Sequence, residues 1–446
     1  MTLLLVIGLI TAIVTFVLSI VVWRVALKYK LYPRIRERDV HSRPTPRLGG
    51  VAMFLGIVIA FGVAYLVSSV FPFPGGALLG VVFSDPTPVF AILGAALLIV
   101  VIGVADDLWD LDWMTKLAGQ FVAAGLVAWL GVQIYSLPLG GGVTVGSPWM
   151  SVAMTVIAIV LVMNAINFID GLDGLVAGVA LIANGAFFLY SYLITVKTSP
   201  SNYFSLASVI AVILVGACAG FLPLNWHPAR MFMGDTGALL VGLLMASSAI
   251  AVTGQIDPAS IQQGGARALF PAFIPIILPF AVLVVPLLDF GLAVFRRVRA
   301  GKSPFSADRK HLHHRLLDMG HTHLHAVLIF YAWTAVVSIG CLLFYFQPVW
   351  PAVVFLFVGV VVCTAVTLAP LSRRKSSEVA AELTPPDAHG ADDAARLDPL
   401  DAASEVHRPH VPGGAQPESL RTTASQPLSP GASPSGSNSS RKESAP

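Results

Sequence analysis

Residues 88–107, PVFAILGAALLIVVIGVADD, form an apolar run that ends in two adjacent aspartates. A helix needs roughly 20 apolar residues to cross a bilayer core of about 30 Å, so this run is long enough to span a membrane. The rest of the chain has the same character, because 56% of its 446 residues are hydrophobic, 11% are charged and the mean hydropathy is +0.79. This composition indicates an integral membrane protein rather than a large soluble domain.

Further apolar runs of similar length follow one another along the chain, whereas a membrane β-barrel would have alternating segments of about ten residues. We therefore predict an all-α polytopic membrane protein with about eleven transmembrane helices. The predicted spans are 3–23, 50–71, 88–105, 117–136, 150–168, 175–195, 205–222, 236–253, 269–295, 326–346 and 349–370.

Lysine and arginine residues set the orientation of these spans, because positively charged loops remain in the cytoplasm. Successive spans cross the membrane in opposite directions, so alternate connectors have the same parity, which means that they lie on the same side. The connectors 24–49 and 296–325 have the same parity and are rich in both residues. The connectors of opposite parity hold only Lys197 and Arg267. This asymmetry predicts an N-terminus outside the cell and a C-terminus in the cytoplasm. We expect a multi-pass protein of the plasma (inner) membrane.

The composition changes near residue 371, which divides the chain into a membrane domain, 1–371, and a tail, 372–446. The tail is rich in Ser, Pro, Ala and Gly, with too little apolar content to offset the entropy of ordering, so we predict a disordered cytoplasmic segment. The net charge of +3 follows from the positive loops, and no nucleic-acid partner is expected. The three cysteines lie within predicted spans, which favours neither disulfides nor a zinc site.

The residues capable of chemistry fall in connectors of the cytoplasmic parity. Asp106 and Asp107 are adjacent carboxylates, and in partly dry surroundings such a pair needs a cation or a raised pKa. The pair therefore indicates an Mg²⁺-linked acidic site or a carboxylate base, with a solvated acidic loop as the alternative. Lys116 follows closely and could oppose the acids or hold a phosphate.

A second set of oxygen-bearing side chains lies in the segment NAINFIDGLDG, residues 164–174. Asn164 and Asn167 can share one face at a helix end, and Asp170 and Asp173 follow. Amide and carboxylate oxygens suit Mg²⁺, which takes one or two protein ligands plus substrate phosphates. Capping of the next helix is the simpler interpretation, but it explains only Asp173.

The connector 223–237 supplies a third set of polar residues. The sequence Gly234 to Gly237 opens a span, and a helix start offers free N–H groups to anions, so Asp235 either caps that helix or binds metal. We interpret His227 as a packed loop residue. Asp289, inside the ninth predicted span, is either functional or paired with a neighbouring helix.

The connector 296–325 combines histidine and arginine at a density that suits polyphosphate or carboxylate recognition. The histidines of this cluster are His311, His313 and His314. A zinc site is the rival interpretation, although no thiolate accompanies them. We assign His321, His323 and His325 to a solvated loop.

Taken together, the four connectors supply what phosphoryl transfer requires. A cation can bridge phosphate oxygens, and positive groups can absorb the charge that develops, with little covalent work by the protein. A secondary transporter is the rival from another class, but its ionisable groups would lie near the bilayer midplane, whereas these lie at helix ends.

Five segments in the same order resemble motifs of one known family. They are His41-Ser-Arg-Pro-Thr-Pro-Arg-Leu-Gly-Gly50, Asp106-Asp107, Asn164 to Gly174, Phe232-Met-Gly-Asp235 and Ser303 to Arg315. Over residues 1–370 the sequence resembles the polyprenyl-phosphate N-acetylhexosamine-1-phosphate transferases, which include bacterial GlcNAc-1-phosphate transferases and phospho-MurNAc-pentapeptide translocases. One departure is Pro33, which is preceded by Leu31 and Tyr32 rather than by the family's Asp-x-Pro pattern.

The resemblance implies an enzyme that takes a UDP-sugar from the cytoplasm and undecaprenyl or decaprenyl phosphate from the bilayer. It would release UMP, with Mg²⁺ or Mn²⁺ as cofactor. The His-x-His-His pattern interrupted by Leu312 is similar to the GlcNAc branch, whereas the muramoyl-pentapeptide branch carries three consecutive histidines. We therefore expect UDP-GlcNAc, with phospho-MurNAc-pentapeptide transfer as the alternative. A homodimer stays open.

The resemblance also implies residue roles. Asp106, Asp107, Asp170 and Asp173 become candidate catalytic residues, the first two engaging or deprotonating the carrier phosphate. Asn167 and Asp235 would bind Mg²⁺, Asn225 and Phe232 would hold the uridine, and Lys116, His311, His313 and His314 would contact phosphate groups. Direct attack by the carrier and a double displacement through an aspartate nucleophile both remain open.

Overall fold

The computed structural model describes residues 1–32, 45–70, 79–109, 111–134, 136–139, 142–145, 147–198, 205–253 and 319–382, together with 295, 298–299, 301 and 316–317. The long helices in these ranges are α1 (Thr2–Lys28), α2 (Gly49–Val70), α3 (Thr87–Trp109), α4 (Trp113–Trp129), α5 (Pro148–Ile169), α6 (Leu175–Thr198), α7 (Leu206–Asn225), α8 (Gly234–Thr253), α9 (His323–Phe346) and α10 (Val349–Glu382). A hairpin pairs strand β1 (Ser136–Leu139) antiparallel to β2 (Gly142–Val145).

Among the described residues, 9 helices are long and apolar enough to cross a membrane. Each of them corresponds to one predicted span, which confirms a multi-pass helical membrane protein. The fourth predicted span, 117–136, overlaps α4, which has 17 residues. The ninth, 269–295, lies outside the described residues except for its last position. The total number of spans therefore stays a prediction.

The chain after α4 differs from the predicted continuous span. Helix α4 ends at Trp129, and Gly131 then adopts a φ of +104°. Glycine reaches this left-handed region without a Cβ clash and commonly ends helices there. The β-hairpin follows as a short connection, and the described residues otherwise form the helices expected of an all-α membrane protein.

The last helix, α10, continues to Glu382, past the domain boundary predicted at residue 371. Residues Met1–Val379 form one compact unit and Ala380–Pro446 a second. Most of the predicted disordered tail lies outside the described residues.

Helix α8 is the most deeply packed of the described spans. In its apolar window 89% of the residues are buried, compared with 11% in α10. It packs against α2, α3, α5 and α7, and its leucines Leu239, Leu240, Leu243 and Leu244 are all buried. A helix that is apolar on every side needs such surroundings, and they fix the position of its N-terminus.

Helices α1 and α7 approach closely through small residues. A Cβ atom on Gly216 would lie 2.3 Å from the backbone oxygen of Gly8, and one on Gly220 would lie 2.2 Å from that of Ala12. Backbone atoms cannot move aside as a flexible side chain can. Glycine at these positions therefore permits the close packing that holds membrane helices together.

This packing predicts that Gly216→Ala destabilises the protein by about 1–3 kcal/mol, as overpacking typically does. Gly125→Ala in α4 is the matched control, because a Cβ atom there meets nothing within 4 Å. Thermal unfolding in detergent should give a lower Tm for Gly216→Ala and an unchanged or higher Tm for Gly125→Ala. Equal Tm values for the two variants would contradict the proposed packing.

Candidate active site

Asp107, at the end of α3, binds the start of α8. Its Oδ1 accepts a hydrogen bond from the Asp235 amide at 3.2 Å, and its Oδ2 accepts from the Thr236 amide at 3.3 Å and from the Thr236 hydroxyl at 2.8 Å. The first amides of a helix have no intrahelical acceptor, so a carboxylate from another helix satisfies them here. The interpretation of Asp235 as the cap of this helix is wrong, because Asp107 has that role.

Gly234 makes this approach possible. Its φ is +70°, and a Cβ atom there would lie 2.3 Å from the backbone oxygen of Arg47 and 2.5 Å from Asp107 Oδ2. The segment before α8 is also joined to α2, because Gly49 donates its amide hydrogen to the Phe232 carbonyl at 3.1 Å. The start of α2 and the end of α3 thus both contact the start of α8.

Lys116 lies between two carboxylates. Its Nζ is 2.7 Å from Asp106 Oδ2 and 2.6 Å from Asp235 Oδ2. Asp106 Oδ1 also accepts from the Leu111 amide at 2.9 Å. The Asp106 side chain is 8% exposed and that of Asp235 is 31% exposed, so the Asp235 side chain has the larger surface open to solvent.

Asn167 and Asp170, at the end of α5, extend this group. The Asn167 side chain hydrogen-bonds Asp235. Burial, followed by the negative charges of Asp235 and Asp107, raises the pKa of Asp170 to about 8, and the positive charge of Arg47 opposes this only in part. The sequence-predicted acids therefore assemble into a site with more negative than positive charge. A bound cation would stabilise it.

Asp173 lies in a neighbouring cluster. Its buried carboxylate oxygen Oδ2 is 2.8 Å from His227 Nδ1 and accepts from the Ala229 amide at 3.1 Å. Its own amide donates to His323 Nε2 at 3.1 Å. The rings of His227 and His323 stack at 4.5 Å between centroids. This cluster joins the turn after α5, the loop after α7 and the start of α9.

Asn225 holds two loops together. Its Oδ1 accepts from the Gly174 amide at 3.0 Å, and its Nδ2 donates to the Met231 carbonyl at 3.0 Å. Phe232 is half-buried and donates its amide hydrogen to the Pro46 carbonyl at 2.9 Å. Both residues border the site, and their uridine-binding roles stay predictions.

The structure thus brings together most of the predicted site. Its members are Asp106, Asp107, Lys116, Asn167, Asp170 and Asp235, with Asp173 and Asn225 beside them. Asn164 turns instead toward Gln120 and the Val160 carbonyl, to which its side-chain amide donates. The predicted phosphate-binding residues His311, His313 and His314, as well as Asp289, lie outside the described residues.

Sequence reasoning missed two contributors to the turn that contains Asp173, namely His323 and Tyr331, and also misassigned His321. The interpretation of a solvated loop is wrong for His323, which reaches the Asp173 amide, and for His321, whose Nε2 is 3.0 Å from the Thr367 carbonyl. Tyr331 was not considered, yet its hydroxyl donates to the Gly174 carbonyl at 2.5 Å. The one available signal was the position of His323 three residues before the predicted span 326–346.

Comparison with known proteins identifies the family. Residues 89–253, which carry every acid of the site, match the model of glycosyl transferase family 4. The decaprenyl-phosphate N-acetylglucosaminephosphotransferases of Mycolicibacterium smegmatis and Mycobacterium tuberculosis are 41% and 42% identical over 372 residues, covering 82% of this chain and 88% and 89% of theirs. This chain belongs to the polyprenyl-phosphate N-acetylglucosamine-phosphate transferase family.

A more distant relative matches over a similar part of this chain. The probable undecaprenyl-phosphate N-acetylglucosaminyl 1-phosphate transferase of Bacillus subtilis is 29% identical over 349 residues, covering 77% of this chain and 86% of its own. The resemblance drawn from the motifs is therefore confirmed over most of the membrane domain.

The contact between Asp107 and α8 predicts a loss of stability in Asp107→Ala. Removal of a capping carboxylate leaves the partly buried amides of Asp235 and Thr236 without this acceptor, at a cost of about 0.5–2 kcal/mol. Asp107→Asn, which keeps an acceptor oxygen, should lie between the wild type and the alanine variant. Thermal unfolding of the three proteins measures this order. An alanine variant as stable as the wild type would show that the cap is unimportant.

The raised pKa of Asp170 predicts that the stability of the metal-free protein depends on pH. The folded protein keeps a proton on this carboxyl up to a pKa of about 8, whereas the ordinary value is 3.8. The free energy of unfolding should therefore fall between about pH 4 and about pH 8 and level off above. In EDTA, Asp170→Asn should have a shallower decline in Tm over this range. Parallel curves for wild type and variant would contradict the assignment.

Proposed function

We propose that this protein transfers GlcNAc-1-phosphate from UDP-GlcNAc to a polyprenyl phosphate and releases UMP. The names of its relatives describe polyprenyl-phosphate N-acetylglucosamine phosphotransfer. The observation that carries the proposal is the meeting of Lys116 with Asp106 and Asp235 at the start of α8. Carboxylates and one ammonium group at a helix N-terminus suit a metal-assisted reaction of phosphates.

The oxygen donors of this site fit Mg²⁺. Asp235 is partly exposed, and its carboxylate lies beside Asn167 and Asp106. Mg²⁺ prefers carboxylate oxygens in small number and completes its coordination with water and substrate phosphates. Asp235 and Asn167 would hold it, and Mn²⁺ has similar ligand preferences. Bound there, the cation would neutralise the charge on the transferring phosphate.

The described acids favour direct attack by the carrier phosphate over a double displacement. Both oxygens of Asp107 accept hydrogen bonds from α8, and those of Asp106 accept from Leu111 and Lys116. A carboxylate engaged in this way is a weak nucleophile. Asp106 instead orients Lys116, whose ammonium group has three donors and can bind a phosphate oxygen.

The remaining roles follow from the family resemblance. His311, His313 and His314 would clamp the diphosphate, while Asn225 and Phe232 would hold the uridine next to the turn that contains Asp170 and Asp173. The position of Asn225 beside this turn and of Phe232 beside the N-terminus of α8 supports that arrangement.

The membrane topology belongs to the same proposal. It comprises eleven spans, an N-terminus outside, a C-terminal tail in the cytoplasm and an active site on the cytoplasmic face of the plasma membrane. Two observations support it. The connectors of cytoplasmic parity contact one another at the start of α8, and Lys and Arg are concentrated in connectors of that parity. The formation of a homodimer stays an open prediction.

A panel of sugar nucleotides tests the substrate. Purified protein with Mg²⁺ and decaprenyl or undecaprenyl phosphate should release UMP from UDP-GlcNAc and far less from UDP-MurNAc-pentapeptide. Preference for the pentapeptide donor would establish the alternative activity. Absence of UMP from every donor, in protein that remains folded, would contradict the proposed transfer.

The charged pair at the start of α8 predicts severe losses on substitution. Asp235→Ala and Lys116→Met should each lower UMP release at least about 100-fold, the usual effect of removing one group that stabilises transition-state charge. Asp85→Asn is the control, because Asp85 is an exposed acid just before the opposite end of α3. Wild-type turnover in Asp235→Ala would contradict the assignment of Asp235 as a metal ligand.

A further inference from the structure

A second cluster of metal-ligating atoms lies outside the Lys116 group. Asp173, His227 and His323 each offer one ligand atom, and these atoms all lie within 4.8 Å of one another. We call these three residues the Asp173 cluster. None of them is assigned to metal binding by the proposed reaction, in which the cation lies at Asp235 and Asn167.

We propose that the Asp173 cluster binds one divalent transition-metal ion of the zinc type. Two imidazoles and one carboxylate are the donor set of many zinc sites that keep an open position. Imidazole nitrogen suits Zn²⁺, Co²⁺ and Ni²⁺, whereas Mg²⁺ prefers oxygen. The two sites of the protein would therefore select different cations.

The protein fixes the carboxylate ligand and leaves the cluster open to solvent on one side. Asp173 is 5% exposed, and its carboxylate is fixed by the Ala229 amide in addition to His227. The His227 side chain is 41% exposed, so water or a small anion can reach the fourth position. Ligand atoms around a tetrahedral zinc ion are separated by about 3.4 Å, and the three ligand atoms here lie within 4.8 Å of one another. The two imidazole rings are stacked, so they must turn apart for both to face one ion.

Metal binding requires a change of hydrogen bonding at two atoms. His227 Nδ1, now 2.8 Å from Asp173 Oδ2, must be free of its proton, which moves to Nε2 or to solvent. His323 Nε2 now accepts from the Asp173 amide through its one unshared electron pair, so this hydrogen bond must break before that pair can bind the ion. The freed amide then donates to water instead. The ion would join the turn after α5 to the loop after α7 and the start of α9.

Co²⁺ titration of the full-length protein in detergent tests this site, with saturating Mg²⁺ present to fill the oxygen-rich site. Visible absorption of tetrahedral Co²⁺ should appear in the wild type. His227→Ala and His323→Ala should weaken Co²⁺ binding by more than about 10- to 100-fold, the loss typical even for residues that only support a ligand. His325→Ala is the matched control, because His325 lies two positions after His323 in the same helix and its ring contacts Thr322.

X-ray absorption of the zinc-loaded wild type gives a second measurement that needs no variant. The expected coordination is two imidazoles with oxygen ligands. Three or more imidazoles, or a Co²⁺ affinity equal in wild type and the double variant H227A/H323A, would overturn the proposal and leave the Asp173 cluster as a hydrogen-bonded contact. Because both measurements detect bound metal rather than turnover, their failure would not bear on the proposed transferase activity.

Discussion

The ammonium group of Lys116, held between Asp106 and Asp235, is the interaction on which the site depends. Three carboxylates approach one another at the start of α8, and their repulsion in partly buried surroundings is expensive unless cations balance it. Lys116 supplies one positive charge at 2.7 Å and 2.6 Å from two of them. The helix dipole of α8 supplies a partial one to Asp107. The remaining negative charge favours a divalent cation at this position, and in the proposed reaction that cation would in turn attract the substrate phosphates.

The carboxylates divide between those that hold the helices and those that face a ligand. Asp107 uses both oxygens to join α3 to α8, and Asp173 joins the turn after α5 to the loop after α7. Asp235 is the more exposed partner of Lys116. In the proposed reaction, a site built from groups fixed in this way would position substrates and balance charge, which is most of what phosphoryl transfer requires.

The sequence predicted the spans well, because apolar length and loop charge are local properties. It also predicted that the acids share one end of the helices. It did not predict that Asp107, rather than Asp235, caps α8, nor that His323 reaches Asp173. The partners in these contacts are far apart in sequence, and a motif does not show which of several acids holds a helix and which faces a ligand. The hairpin after α4 was not predicted because its strands have only four residues each, and the first begins at Ser136, the last residue of the predicted span 117–136.

We propose that the acids of this site hold cations and orient substrates, and that none of them becomes covalently phosphorylated. The stereochemical course at the β-phosphorus of UDP-GlcNAc tests this most directly. With a chiral isotopically labelled or thio-substituted β-phosphate, direct attack by polyprenyl phosphate predicts inversion of configuration. Retention would require two displacements through an aspartyl intermediate and would contradict the claim.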